Sequence, residues 1–296
     1  MRLGHAAGMH PSEAIRLLGG VAKWNEICWL TTRAEVDGEL ASGAISRLRR
    51  GTYALGDVVE VRAQAEAVAG TVSHLSAAMA HGWKVKFPPE RPTVTLPRNR
   101  SLPAGCELEV HWHDLTLLQS YRGVTRPVET VIGCARAYDF DVALSVADSA
   151  LRERAVTKHQ LLAAAEMSPR TGRTKALQVV RAADGRAANP FESCARAIAS
   201  EVRGLCVRPQ VRVSGVGRVD LADLALGIVV ECESFEFHSD AKSLEKDVRR
   251  YTSCARRGLV VVRFTWKEVM FDPDYCRRVL QDVVEVRLQQ AVRRTW

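Results

Sequence analysis

Arg218-Val219-Asp220-Leu221-Ala222-Asp223-Leu224 followed by Ile228-Val229-Val230-Glu231-Cys232-Glu233 is the stretch whose reading decides the fold. Both runs are apolar enough to be strands, and each delivers carboxylates into an otherwise hydrophobic pattern. Asp220 interrupts the first strand, where burying a charge is expensive unless a cation or hydrogen-bond donors compensate. Asp223 reads as a surface residue of that strand or its end. Leu226 to Val230 is continuous enough to be a buried central strand. Glu231 and Glu233 share one face of it and repel unless a metal sits between them or one holds a proton. Their simple alternative is an exposed pair at a strand end. Joined as a hairpin, the two strands gather carboxylates of the kind that hold a hard divalent cation such as Mg²⁺ for phosphodiester hydrolysis.

Outward from the hairpin, Asn189-Pro190-Phe191-Glu192 precedes a helix pattern of Ala195, Ile198, Ala199 and Val202. Asn at the N-cap, Pro at the first helical position and Glu at the third make a capping box that needs no catalysis. The same Glu192 can also serve as an outer acid beside the hairpin. Downstream, Phe237-His238 leads into a helix from Ser243 to Arg257, and an imidazole there has the pKa of a general acid or base. That helix carries Lys242, Lys246, Asp247, Arg249 and Arg250, a mixed-charge face that either holds a scissile phosphate or solvates the helix. Gly258 ends it, Leu259 to Phe264 makes another buried strand, and Lys267 begins a final helix. From Pro190 the order is helix, three strands, helix, strand, helix: a mixed sheet flanked by helices, of α/β class.

Toward the N-terminus, helices are expected from Ser12, from Thr31-Thr32-Arg33-Ala34, and over Ser42 to Arg50, where Ile45 and Leu48 stand three apart. Gly51 to Leu55 then reads as a strand, the wing of a winged helix-turn-helix. On this reading Ser46, Arg47, Arg49 and Arg50 lie on or beside a DNA-recognition helix. An arginine-rich face that is merely solvated is the alternative. The middle section combines a helix from Thr71 to Gly82, strands at Thr93–Leu96 and Leu108–His113, and a helical pattern over Pro127 to Glu153. His111 and His113 alternate on one strand face, and His74 and His81 share a helix face; half-exposed or core histidines explain both pairs. The expected organisation is a winged helix over 1–57, a small α+β middle domain over 58–165, a polar basic linker over 166–188 whose span Lys175 to Ala183 can be helical, and the mixed-sheet domain over 189–296.

The chain has 296 residues, and Lys plus Arg exceed Asp plus Glu by eight, which allows a polyanionic partner but does not require one. Eight cysteines without a C-x-x-C pair argue against a zinc site and for free thiols in a reducing cytoplasm. No apolar run approaches the ~18 residues of a membrane span, so no membrane partner is expected.

Residues from Asn189 to about Leu280 resemble the PD-(D/E)XK nuclease superfamily, in particular its branch similar to very-short-patch-repair (Vsr) endonucleases. Pro190-Phe191-Glu192-Ser193, Arg218-Val219-Asp220-Leu221, Val230-Glu231-Cys232-Glu233-Ser234, Phe237-His238, Asp247-x-Arg249-Arg250 and Val262-Arg263-Phe264-Thr265-Trp266 carry the likeness. It implies a restriction-endonuclease-like fold and a metal-dependent DNA endonuclease, with DNA repair or defence against mobile elements as its setting. The implied metal set, for Mg²⁺ or Mn²⁺, is Asp220 and Glu231 with Glu233 beside them, Glu192 is a supporting acid, His238 an acid or base, and Lys246, Arg249 and Arg250 touch DNA. Two departures stand out. The superfamily's usual lysine is Glu233 here, and the Gly that follows the corresponding Asp of this branch is Ser234.

The first 150 residues resemble the AbiEi-type antitoxin architecture, through Gly19-Gly20, Arg47 to Leu55, Ser73-His74-Leu75-Ser76-Ala77-Ala78 and Val146-Ala147-Asp148-Ser149-Ala150-Leu151. That resemblance implies a second reading, a catalytically inactive DNA-binding regulator or antitoxin of a type IV toxin–antitoxin system, with a toxin as partner.

Overall fold

The computed structural model describes residues 8–56, 58–233 and 241–294, and side chains of 49, 58–59, 241–247 and 292–294 are outside the description. The chain is of mixed α/β class and divides into two units, Met1–Gly185 and Arg186–Trp296.

The first unit begins with α1 (Pro11–Leu17), β1 (Val21–Lys23), α2 (Trp24–Ile27), α3 (Arg33–Ser42), β2 (Ile45–Arg49) and β3 (Thr52–Leu55). The three strands form an antiparallel sheet in the order β1-β3-β2. Ala14, Ile15, Ile27, Val36, Ile45 and Tyr53 are buried together beneath it. Thr32 caps α3 by accepting from the Glu35 amide, and Gly43, at φ 78°, ends it.

Ser46, Arg47, Arg49 and Arg50 do not lie on a helix; the first three belong to strand β2 and Arg50 to the turn before β3. The cause is a register shift between Arg47 and Arg49, which places Leu48 at a bulge. An extra residue on one strand restarts the two-residue alternation, so apolar Ile45 and Leu48, three apart, imitate a helical period.

The unit continues with α4 (Val58–Ala67), β4 (Thr71–Val72), α5 (His74–Ala80), β5 (Thr93–Leu96), β6 (Glu109–Trp112), β7 (Ser120–Tyr121) and β8 (Val124–Thr125). These strands form a sheet in the order β6-β5-β4-β8-β7. Thr71 and Val72, expected at a helix start, are strand instead, and the helix begins only at His74. The helical pattern over Pro127 to Glu153 resolves into α6 (Pro127–Ala137) and α7 (Phe140–Arg152), parted at Tyr138, whose ψ of 172° is extended. α8 (Lys158–Met167) and α9 (Arg170–Ala182) complete the unit. The stretch 166–188 is helical over more than the Lys175 to Ala183 expected from the sequence. It holds α9, which buries Ala176, Val179 and Val180. Residues 1–57 and 58–165 both fall within the first unit.

The second unit runs α10 (Pro190–Ser200), β9 (Arg208–Val213), β10 (Gly217–Asp223), β11 (Ile228–Glu233), α11 (Ala241–Ala255), β12 (Val260–Thr265), α12 (Trp266–Phe271) and α13 (Pro273–Arg294). Its sheet order is β12-β11-β10-β9; β9, β10 and β11 are antiparallel neighbours, while β12 runs parallel to β11 after the α11 crossover. Leu221, Ile228, Val230 and Phe264 pack with Phe191, Ile198 and Leu280 into one core. Each such side chain contributes roughly 1.5–3 kcal/mol by leaving water. Val219, Ala222 and Val229 form a smaller cluster with Val211 and Val261. Asp223 is not a surface residue: buried, it accepts from the amides of Cys206, Ala225 and Leu226 and so fixes the turn into β11. All eight cysteines are free thiols, four of them buried.

Candidate functional site

Asp220 and Glu231 meet because the β10–β11 register, which pairs Leu221 with Val230, runs one step further to set them side by side. The Asp220 amide nitrogen lies 3.5 Å from Glu231 Oε2, and the Cys232 amide donates to Asp220 Oδ2 at 2.9 Å. Glu231 is only 3 % exposed. Burial first, and then the Asp220 charge, push its carboxyl up to about 8, against the lowering pull of Arg250. Arg250 Nη2 sits 2.5 Å from Glu231 Oε1 and donates also to the Arg218 carbonyl at 2.8 Å.

Glu192 reaches the same place from the start of α10. Asn189 caps the helix by accepting from the Glu192 amide at 2.9 Å, with Pro190 in the first turn, as the capping pattern predicts. The Glu192 carboxylate accepts from the Ala188 amide and from the Asn189 side chain. Its Oε2 also takes a hydrogen bond from Gln210 Nε2 at 2.8 Å, and the same nitrogen is 3.3 Å from Asp220 Oδ1. Capping and site are thus served by one residue.

Gln210 is the residue that sequence reasoning missed. It stands in β9 at φ 54°, a left-handed conformation costly for a side chain with a Cβ and found where a site dictates the backbone. Nothing in the one-letter pattern announces a positive φ at a glutamine; its signal was only a polar residue opposite Asp220 in an apolar sheet.

Glu233 lines the same cleft, yet its Oε1 is engaged by the Tyr251 hydroxyl and by Arg263 Nε at 2.9 Å, with the Arg263 guanidinium over the Tyr251 ring. The structure therefore groups Glu192, Gln210, Asp220, Glu231 and Arg250 and holds Glu233 to the side, in a cleft of about 240 Å³. Arg249 is exposed on α11. His238 lies outside the described residues, as does the side chain of Lys246. Among the DNA-contact candidates of the first unit, Arg47 is exposed with its guanidinium 5.8 Å from the Tyr53 ring centre, and Arg50 is exposed in the turn. Ser46 is half-buried, with its hydroxyl shielded from water, so it is poorly presented to any ligand.

A divalent cation suits the donor chemistry here: the two adjoining carboxylates are oxygen ligands, and the proton Glu231 retains marks a place where positive charge is wanted. Among the described residues no three His, Cys, Asp or Glu side chains are already gathered as a metal cage, so water or substrate oxygens would complete the shell.

No family model matches the chain. Two proteins of Mycobacterium tuberculosis, the uncharacterized proteins MT2308 and Rv2248, are 29 % identical to it over 173 residues, which is 56 % of this chain and 64 % of theirs. The chain thus spans less than two thirds of the length of the curated relatives it matches. A crystal structure of the Rv2827c protein from Mycobacterium tuberculosis covers 70 % of this chain and 86 % of its own at 14 % identity, with a TM-score of 0.31, too low to bear on fold or activity. No helix among the described residues is long and apolar enough to cross a membrane.

Proposed function

We propose that the second unit is a metal-dependent DNA endonuclease of restriction-endonuclease-like fold, akin to the Vsr branch, and that the first unit supplies DNA affinity. The observation that carries this reading is the side-by-side placement of Asp220 and Glu231 in a partly buried cleft, with Glu231 driven to keep a proton. Asp220 and Glu231 would hold Mg²⁺ or Mn²⁺, which when bound supplies Lewis acidity and an activated water. Gln210 fixes the Asp220 carboxylate and joins it to Glu192, so that both acids keep one orientation. Arg250, already beside Glu231, is placed to offset negative charge on a phosphate entering the cleft.

In this reading residues 8–56 are the winged helix of an AbiEi-like region, with α3 in the place of the recognition helix. α3 carries Glu35, Asp37 and Glu39 against the single Arg33. Glu35 caps its own helix and Glu39 bonds Ser12, which leaves exposed Asp37 as an unfavourable charge toward phosphate. The β2–β3 hairpin, with Arg47, Arg49 and Arg50, is the better DNA-contacting element.

The test is incubation of the protein and its Asp220→Ala variant with supercoiled plasmid and a mismatched duplex, with Mg²⁺, with Mn²⁺ and with chelator. Metal-dependent cutting lost in the variant supports the reading, and cutting retained by Asp220→Ala overturns it. A second reading, an inactive DNA-binding regulator or antitoxin with a toxin partner, is favoured by the engagement of Glu233 with Tyr251 and Arg263 and of Glu231 with Arg250. It predicts DNA binding by both proteins without cutting.

A further inference from the structure

The first unit contains a second cleft, of about 540 Å³, that the nuclease reading does not use. That volume falls within the range of small-molecule sites, and the lining is both basic and apolar. His74, Arg98, His111, His113 and Arg136 all line it, with Trp112 beside them.

The construction of this cleft is deliberate in three respects. His74 is buried at φ 49°, stacks on His111 with ring centres 3.7 Å apart, and is held through Nδ1 by Ser73 Oγ at 2.8 Å. Room for its ring exists because residue 133, inside α6, is glycine; a Cβ there would stand 3.2 Å from His74 Nε2. A helix-interior glycine and a left-handed histidine are each unfavourable locally, so the ring's position is imposed by the surroundings. Arg136 is anchored through Nε and Nη2 to the Thr171 carbonyl, at 3.3 and 3.0 Å, over Gly172, where a Cβ would meet the Arg136 side chain at 3.1 Å.

Charge points the same way. Neither Arg98 nor Arg136 has a carboxylate partner in an ion pair among the described residues, and the two repel each other. Glu109 is taken up by Tyr138, Thr93 and His111. Glu129 also lines the cleft, a carboxylate raised by burial and pulled down by Arg126, set among the arginines and histidines of the lining. Burial and the neighbouring His111, Arg136 and His113 hold His74 neutral. Trp112 is 52 % exposed, and its indole Nε1 donates to the Arg100 carbonyl at 3.0 Å, so a flat apolar face is fixed beside the arginines.

We propose that this cleft binds a nucleotide-sized organic phosphate, its phosphate on Arg98 and Arg136 and its planar ring against Trp112. The Arg98 guanidinium suits a phosphate's bidentate geometry, Arg136 adds positive charge beside it with Nε and Nη2 held on Thr171, and base stacking on an aromatic needs no particular sequence.

Full-length protein is titrated calorimetrically with AMP, adenosine and inorganic phosphate. Expected is saturable binding of AMP, weaker binding of phosphate that competes with it, and no comparable binding of adenosine. Arg98→Gln, a change at an exposed side chain with no hydrogen bond of its own among the described residues, should weaken AMP at least tenfold, while Arg98→Lys, which keeps the charge and loses the fork, should fall between it and the parent. Trp112→Ala should weaken AMP but leave phosphate unchanged. Adenosine binding as tightly as AMP, indifference of AMP to Arg98→Gln in a variant with unaltered melting temperature, or no binding of AMP or phosphate overturns the proposal.

Discussion

Arg250 Nη2 lies 2.5 Å from Glu231 Oε1, so the buried carboxyl that most wants a cation nearby already has one, carried on α11. The same nitrogen holds the Arg218 carbonyl, which ties α11 to β10. A divalent ion entering this cleft must therefore share Glu231 with Arg250 or displace it. On removal of Arg250 the largest pull opposing the burial and the Asp220 charge that raise Glu231 is gone, so its carboxyl holds the proton more firmly. Arg250→Ala should cost about 1–3 kcal/mol, from the lost hydrogen bonds to Glu231 and to the Arg218 carbonyl. Added Mn²⁺ should restore more melting temperature to the variant than to the parent. Thermal unfolding of the two proteins with and without Mn²⁺ measures both effects.

Glu231 also sets a pH dependence. Its folded carboxyl is raised to about 8 from an ordinary value of 4.5. Below about pH 4.5 folded and unfolded chains both hold the proton and the site costs nothing. As pH rises toward 8 the unfolded chain releases it first, so this group's contribution to stability falls over that window and levels off above it. Glu231→Gln should flatten the slope between pH 5 and 8, measured as melting temperature against pH. A slope unchanged by the substitution would show that another group is responsible.

Proton and metal compete for the same oxygen atoms. Apparent affinity for Mg²⁺ or Mn²⁺ should rise from pH 6 to 8, and calorimetry in buffers of different ionisation enthalpy should report proton release on binding. Asp220→Ala should abolish both signals.

Gln210 supplies one side-chain nitrogen to two carboxylates and pays for it with a strained backbone. Gln210→Ala removes the bond and keeps the strain, with an expected loss of about 1–3 kcal/mol. Gln210→Gly removes both, and should be the less harmful by about 1 kcal/mol. Hydrogen exchange over β9, β10 and β11 reads this out locally, where whole-chain unfolding of two units would blur it.

For the hairpin, replacing Arg47, Arg49 and Arg50 together with Gln should lower the slope of log affinity for duplex DNA against log salt by about 2 to 3. Asp37→Lys on α3 should strengthen binding if α3 approaches phosphate, and leave it unchanged if the hairpin alone does. Fluorescence anisotropy over a salt series separates these outcomes.

The second unit was legible in the sequence because its signals agree: Asn189-Pro190 at a helix start, an apolar run ending in Glu231, and Gly258 at a helix end all say the same thing locally and globally. Residues 42–50 misled because the bulge at Leu48 lends a strand the spacing of a helix. The sequence pattern runs Thr71 and Val72 into α5, since β-branched residues before a helix leave no mark of where pairing stops. At the site, charged residues in apolar strands exposed themselves, whereas Gln210 is recognisable only once β9 is in place, and the pairing of Arg250 with Glu231 only once α11 is. The basic cleft of the first unit was invisible for the same reason, as Arg98, His111 and Arg136 come from three separate stretches of chain.

Glu192 has a further consequence for how this chain tolerates change. Because it is bonded to Ala188 and Asn189 as well as to Gln210, a descendant that abandoned chemistry would still need it to begin α10. Gln210 closes no helix and occupies a backbone conformation that glycine or asparagine would fill more easily. It is the position at which relaxed selection should register first.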